Sequence, residues 1–277
     1  KRLVLCFDGT ANKFTGDETD TNIVQIYTML DRQSPSQYHY YQPEIGSYVS
    51  GHISNTKRNP FTQATNWCIE RYDEAFGYSF VHHVLAGYKF LMRFYTPGDK
   101  IYIFGFSRGA YTARFLAEMI HKIGLLSEGN EEMIRFAWDM FSDFQTKRGD
   151  RVESDLISFK IAFCRKAVKV EFLGLFDCVN SVARLQDGSS SDAGQVARHV
   201  RHAVSLGERR IAFKPALFGW DKRVESDDGT ETMEEMYFAG NHGDVGGGWG
   251  YAKEKAVEKV SLFQISLQWM VDEVVQL

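Results

Sequence analysis

Long apolar runs are missing from this 277-residue sequence: the longest, such as Ile101 to Phe106, fall far short of the roughly 18 residues a bilayer-crossing helix needs. Cysteine is sparse. The four present, Cys6, Cys68, Cys164 and Cys178, form no Cys-x-x-Cys pair and accompany no paired histidine spacing, which excludes a zinc pattern and a disulfide scaffold. An excess of either charge is also lacking. With 32 Lys plus Arg against 36 Asp plus Glu, the formal net charge is -4, so no global positive field draws the chain to nucleic acid. Contact with a lipid surface would have to be transient and run through a local patch. What is there, 44% hydrophobic residues in a chain of this length, suffices for one core without a staple, and disorder, collagen and coiled coil are excluded. One domain over 1–277 is expected. Two of the cysteines lie in apolar runs, as small buried hydrophobes in a reducing compartment do, so the expected location is cytoplasmic. The chain starts inside a strand pattern and stops inside a helical one, so further segments are expected beyond its ends.

Leu3 to Phe7 is a short apolar run closed by Asp8-Gly9-Thr10, the pattern of a buried strand entering a polar turn. Ile101 to Phe106, Val168 to Phe176 and Glu235 to Ala239 repeat it, and Gln37 to Gln42 is a weaker strand. Helical spacing predicts helices over Val81 to Phe94, Ala110 to Ile123, Glu131 to Phe144, Ser191 to Ser205, and Lys255 to the end. Continuous apolar strands alternating with amphipathic helices predict an α/β fold, a mostly parallel sheet with helices on both faces. Ligands in such sheets gather at the carboxyl ends of the strands, so the residues there are the ones to examine.

Those ends carry Asp8-Gly9-Thr10, Gly105-Phe106-Ser107-Arg108-Gly109, Asp177, and Asn241-His242-Gly243-Asp244. The second is a Gly-x-Ser-x-Gly between a strand and a helix, where a sharp turn exposes the serine hydroxyl and the glycines avoid collision with neighbouring elements. Ser107 is therefore the candidate nucleophile. A serine needs an imidazole to take its proton and a carboxylate to orient that imidazole. His242 follows a strand in a glycine-rich loop near the C-terminus; His39, His52, His82, His83, His121, His199 and His202 read as helix or polar-loop residues with surface or packing roles. For the acid, Asp177 and Asp244 compete, with Asp177 favoured because it ends its own strand. Oxyanion donors would be the backbone N–H of Arg108 and that of Gly9 or Thr10. Asp8 reads as a turn carboxylate that supports the loop.

Taken together, Leu3 to Thr10, Gly105 to Arg114, Gly174-Leu175-Phe176-Asp177, His202-Ala203-Val204-Ser205 with Glu208-Arg209-Arg210, His242 to Gly248, and Trp269 to Glu273 resemble one family. It is the α/β-hydrolase domain family that includes the catalytic domains of type VI secretion lipase effectors. The resemblance implies a cofactor-independent serine hydrolase with a Ser, Asp, His triad and, in the secreted bacterial members, phospholipase activity. Position by position, the nucleophile falls on Ser107, the base on His242 and the acid on Asp177.

The insertions over about 124–166 and 184–222 carry Met133, Phe136, Trp138, Phe141, Phe144, Phe213, Phe218 and Trp220. They either pack on the sheet or form a lid over a lipid or small-ester acyl chain, which gains about 0.8 kcal/mol per methylene removed from water. Gly46 to Arg71 has no clear period and yields no role. Two other readings of the whole stand beside the hydrolase: a catalytically silent binding protein on the same frame, and a metal-dependent phosphoesterase using Asp8 and Asp244, with Asp177 as a third carboxylate.

Overall fold

The computed structural model describes residues 1–9, 16, 20–43, 79–146, 150–179, 196–210, 213, 215–218, 232–248 and 261–277. In chain order the elements are β1 (Arg2–Phe7), α1 (Asn22–Met29), β2 (Gln37–Gln42), α2 (residues 79–94), β3 (Lys100–Phe106), α3 (Arg108–Ile123) and β4 (Leu125–Leu126). A 3-10 turn (Glu131–Met133) leads into α4 (Ile134–Thr146), then α5 (Asp150–Phe163), β5 (Cys164–Arg165), β6 (Val170–Phe176), β7 (Ala197–Ser205), β8 (Thr232–Phe238), α6 (His242–Gly246) and α7 (Leu262–Val275). Six strands form one parallel sheet in the order β2-β1-β3-β6-β7-β8, while β4 and β5 pair antiparallel. The fold is α/β, with helices on both faces.

Alternation along β1 explains why its run is apolar throughout. Leu3, Leu5 and Phe7 join Ile101 and Ile103 in the layer under α2 and α3, whereas Val4 and Cys6 join Tyr102, Phe104, Ile23 and Met270 in the layer under α1 and α7. Both faces are covered, so no polar residue is needed between them. Each such side chain contributes about 1.5–3 kcal/mol on full burial. Helix α3 presses closest to the sheet: a Cβ added at Gly109 would stand 2.3 Å from the Phe7 carbonyl oxygen and 2.4 Å from that of Asp8. The obstruction is backbone and cannot swing aside. Gly109→Ala is therefore expected to lower stability by about 3 kcal/mol, read as an earlier midpoint in urea denaturation.

One predicted element has the wrong type. The helix expected over Ser191 to Ser205 is strand β7 from Ala197 onward; 191–195 lie outside the described residues. Arg201 and His202 sit at buried strand positions, paired with Glu273 on α7 and Glu235 on β8, so strict apolar alternation is broken. The remaining apolar residues, Ala197, Val200, Ala203 and Val204, then fall at three- and four-residue steps that imitate a helix. His199 and His202 are accordingly strand residues, as is His39 on β2, contrary to their reading as helix or loop histidines.

The insertions over 124–166 and 184–222 are described in part. Ile134, Ala137, Trp138, Phe141, Leu156 and Phe159 of 124–166 are buried in the core layer with α3, Trp138 meeting Phe80 edge-on and Phe141 meeting Phe115. The two helices pack on α3 and on each other. Of 184–222, residues 197–205 are a central strand; Trp220, like Gly46 to Arg71, lies outside the described residues.

Candidate active site

The sheet order reverses direction between β1 and β3, and at that switch point the loops from the two strand ends part to leave a crevice. Ser107 stands there, between β3 and α3, with φ 58° and ψ -123°. For a residue with a Cβ this backbone costs on the order of 1–3 kcal/mol and persists only where neighbours over-determine it. They do so here. Ser107 N–H donates to the Phe176 carbonyl at 3.0 Å, and its own carbonyl accepts from Tyr111 at 3.3 Å and Val179 at 3.4 Å. A Cβ on Gly105 would lie 2.6 Å from Ala110 Cα, which leaves glycine as the residue that lets the chain double back.

Phe106 and Phe176 are register partners on β3 and β6, so Ser107 and Asp177 emerge level with one another. Asp177 also has a left-handed backbone, φ 40°, fixed by its N–H donating to the Ala203 carbonyl at 2.7 Å. Its Oδ1 accepts from Ser205 N–H at 2.9 Å; its Oδ2 accepts from Ser205 Oγ at 2.9 Å and lies 2.6 Å from His242 Nδ1. The far nitrogen of that ring, Nε2, lies 2.7 Å from Ser107 Oγ. With an acceptor-only carboxylate on Nδ1, the ring carries its proton there, and Nε2 is left to accept from the hydroxyl. All three residues are buried, His242 between the rings of Phe106 and Phe213 at 4.7 and 4.8 Å.

His242 is delivered by the start of α6. Asn241 caps that turn by accepting from Gly243 N–H at 3.0 Å, and Asp244 accepts from Asn241 N–H at 2.9 Å, a reciprocal capping box. Of the two competing carboxylates, the structure thus brings Asp177 to the imidazole and sets Asp244 to hold the turn. Asp8 is buried at the end of β1, where Thr21 Oγ1, Tyr41 Oη and Gly9 N–H all donate to it; burial, the largest influence, pushes its pKa up. Gly9 abuts the nucleophile, since a Cβ there would stand 3.1 Å from Ser107 Cβ, but its N–H is engaged by Asp8 Oδ1 at 2.7 Å. Arg108 opens α3 directly after Ser107; Thr10 lies outside the described residues. No group of three or more His, Cys, Asp and Glu among the described residues could hold a metal ion, so Asp8, Asp177 and Asp244 do not assemble into the three-carboxylate alternative.

A family model described as T6SS, phospholipase effector Tle1-like, catalytic domain, matches residues 1–273. The chain belongs to this Tle1-like family. It is also similar to the uncharacterized protein YEL023C of Saccharomyces cerevisiae, 41% identical over 226 residues that cover 79% of this chain and 33% of the yeast protein. A crystal structure of an uncharacterized protein from Pseudomonas aeruginosa shares the fold, with a TM-score of 0.51 and 18% identity over 99% of this chain and 45% of that one. The Tle1 effector bound to the VgrG spike of the type 6 secretion system superposes with a TM-score of 0.40 and 16% identity, over 90% of this chain and 51% of that one. The chain spans about a third of the yeast relative's length and under half of the Pseudomonas protein's.

Within this Tle1-like domain the structure gives site roles to residues that the sequence reading quoted only within the stretches carrying the resemblance. Ser205 grips the Asp177 carboxylate with both N–H and Oγ, and was hidden because β7 read as a helix; once β7 is a strand, Ser205 is its carboxyl-end residue. His202, fully buried on the same strand, sits 2.8 Å from Glu235 through Nδ1 and accepts from Cys178 N–H at 3.1 Å, steadying the residue after Asp177. Glu208 accepts weakly from His242 N–H at 3.4 Å, and the bidentate Arg210 guanidinium holds its carboxyl down to about 2. That guanidinium lies 3.9 Å over the Phe213 ring, which in turn faces His242. Ser205→Ala removes the one side-chain donor to Asp177 besides His242 among the described residues. A hydrogen bond to a charged group is worth about 1.5–3 kcal/mol, so a fall in kcat of roughly 10–100-fold is expected, with KM within a factor of about three, in steady-state ester hydrolysis.

Proposed function

We propose that this domain is a serine hydrolase of carboxylic esters, acting on lipid acyl esters through an acyl-enzyme on Ser107. The observation that carries the reading is the unbroken chain from Ser107 Oγ through the His242 ring to Asp177, at 2.7 and 2.6 Å, on a strained strand-to-helix turn. Membership of the Tle1-like phospholipase effector family supports lipid esters as the substrate class.

In this reading His242 Nε2 takes the Ser107 proton as Oγ attacks the ester carbonyl, and Asp177 stabilises the imidazolium without itself accepting the proton. The oxyanion lies at the N-terminus of α3, where the Arg108 N–H and the helix dipole favour negative charge. Collapse of the tetrahedral intermediate expels the alcohol, which receives its proton from His242. Water, deprotonated by the same ring, then releases the acid and frees Ser107.

The test is labelling with a fluorophosphonate followed by peptide mapping. A single adduct on Ser107, blocked by prior hydrolysable ester, is the expected result; an unlabelled folded protein contradicts the reading and favours the silent binding protein.

A further inference from the structure

Of the stretches that carry the resemblance, Glu208-Arg209-Arg210 has no part in the proton path from Ser107 to Asp177, yet the fold brings it against His242. Beyond the end of β7 the backbone stays zipped to the segment after β8. Leu206 N–H donates to the Phe238 carbonyl at 3.0 Å, and Gly207 N–H donates to the Gly240 carbonyl at 2.7 Å. A Cβ on Gly207 would stand 2.7 Å from that same oxygen, so glycine is what permits the approach. The next residue, Glu208, then accepts from His242 N–H through Oε2 at 3.4 Å. That N–H lies in the first turn of α6, where a helix supplies no acceptor of its own.

The carboxylate is held in turn. Arg210 donates to Glu208 Oε1 from its backbone N–H and from Nε, each at 2.8 Å, and to Oε2 from Nη2 at 2.6 Å, so the guanidinium grips both oxygens as a fork. The same guanidinium lies 3.9 Å over the Phe213 ring, and Phe213 N–H donates to the Arg210 carbonyl at 3.0 Å. One residue thus fixes Phe213 by its face and by its backbone. Phe213 stands 4.8 Å from the His242 ring, which has Phe106 as its other aromatic neighbour. Two routes therefore run from Arg210 to His242, one through Glu208 to its backbone and one through Phe213 to its ring.

What this arrangement contributes is placement. The Arg210 side chain is 43% exposed, and an ion pair that solvent reaches adds little to stability. The imidazole, by contrast, depends on being held, because it must take a proton from Ser107 Oγ and then return one to the leaving alcohol from the same nitrogen. Resting on the serine-hydrolase reading, we propose that Arg210 is a positioning residue of this site, holding the His242 backbone through Glu208 and the His242 ring through Phe213. Its action is on the base and not on the ester.

The experiment measures kcat and KM for propyl butyrate in the intact protein, in Arg210→Ala, Arg210→Lys and Phe213→Ala, and in the Arg210→Ala/Phe213→Ala double variant, with a melting curve for each. Arg210→Ala is expected to lower kcat roughly tenfold with KM within a factor of about three, the signature of a misplaced base. Arg210→Lys, which keeps a cation but not the planar fork, should recover part of the loss. Because Arg210 and Phe213 act on one ring, the double variant should fall short of the product of the two single losses by at least about threefold. An unchanged kcat in folded Arg210→Ala overturns the proposal. So does a rise in KM alone, the mark of a contact with the ester, and so do single losses that simply multiply. Should Arg210→Ala melt below the assay temperature, Arg210→Lys decides: a lowered kcat at constant KM supports the proposal and a wild-type kcat overturns it. Fluorophosphonate labelling run alongside separates the failures. An unlabelled wild type removes the hydrolase reading itself, whereas a labelled wild type with kcat unmoved by the variants removes the positioning role alone.

Discussion

Ser107→Ala is expected to cut ester turnover by roughly 10⁴–10⁶-fold while the protein remains folded. Loss of Oγ leaves the His242 ring nothing to deprotonate, and what survives is carbonyl polarisation by backbone amides. Little packing changes, because alanine keeps the Cβ that the turn already tolerates at φ 58°. The one uncompensated group is His242 Nε2, now without its partner at 2.7 Å, which costs about 1–3 kcal/mol. Circular dichroism and a melting curve check the fold, and titration of released acid checks the chemistry. A folded variant retaining more than about a tenth of wild-type turnover would place the nucleophile elsewhere.

Asp177→Asn carries the second largest effect, a fall of roughly 10³–10⁴-fold in kcat. The amide is nearly isosteric, but a carboxylate accepts everywhere around its rim whereas an amide accepts at only one atom. Three donors converge on this group, Ser205 N–H, Ser205 Oγ and His242 Nδ1. An amide that accepts from Ser205 N–H turns its NH₂ toward the imidazole, which then presents its lone pair at Nδ1 and its proton at Nε2, the wrong tautomer for a base. Asp244→Asn is the control. Its carboxylate serves the Asn241 cap, so it should cost about 1 kcal/mol of stability and less than tenfold in rate. Equal damage from the two substitutions would show that the acid had been misassigned between them.

The parts of this molecule that were legible beforehand are those whose neighbours impose a simple rule on the sequence. Strands β1, β3 and β6 are covered on both faces and so read as uninterrupted apolar runs. Ser107 and His242 stand among glycines because close backbone approach and turning excluded anything larger. Strand β7 was illegible for the opposite reason: Arg201 and His202 are buried in it, and the acids that make this tolerable, Glu273 and Glu235, come from α7 and β8, far along the chain. Helix α1 escaped notice in the same way. It opens on a fully buried Asn22 whose Nδ2 donates to the carbonyls of Val245 and Phe263, partners that no local pattern announces. The Ser205 clamp inherits that blindness, since its role depends on β7 being recognised as a strand.

The level emergence of Ser107 and Asp177 from register-paired strands divides the machinery into two mechanical classes. Alcohol and acid are spaced by the rungs of the sheet itself, a ruler that cannot stretch without breaking the ladder, whereas the imidazole rides a five-residue helical turn bounded by left-handed glycines at 240 and 247. Thermal breathing will therefore part the ring from both of its neighbours before it parts those two from each other, and random mutagenesis for altered rate should collect its viable hits around residues 240 to 247 rather than along β3 or β6.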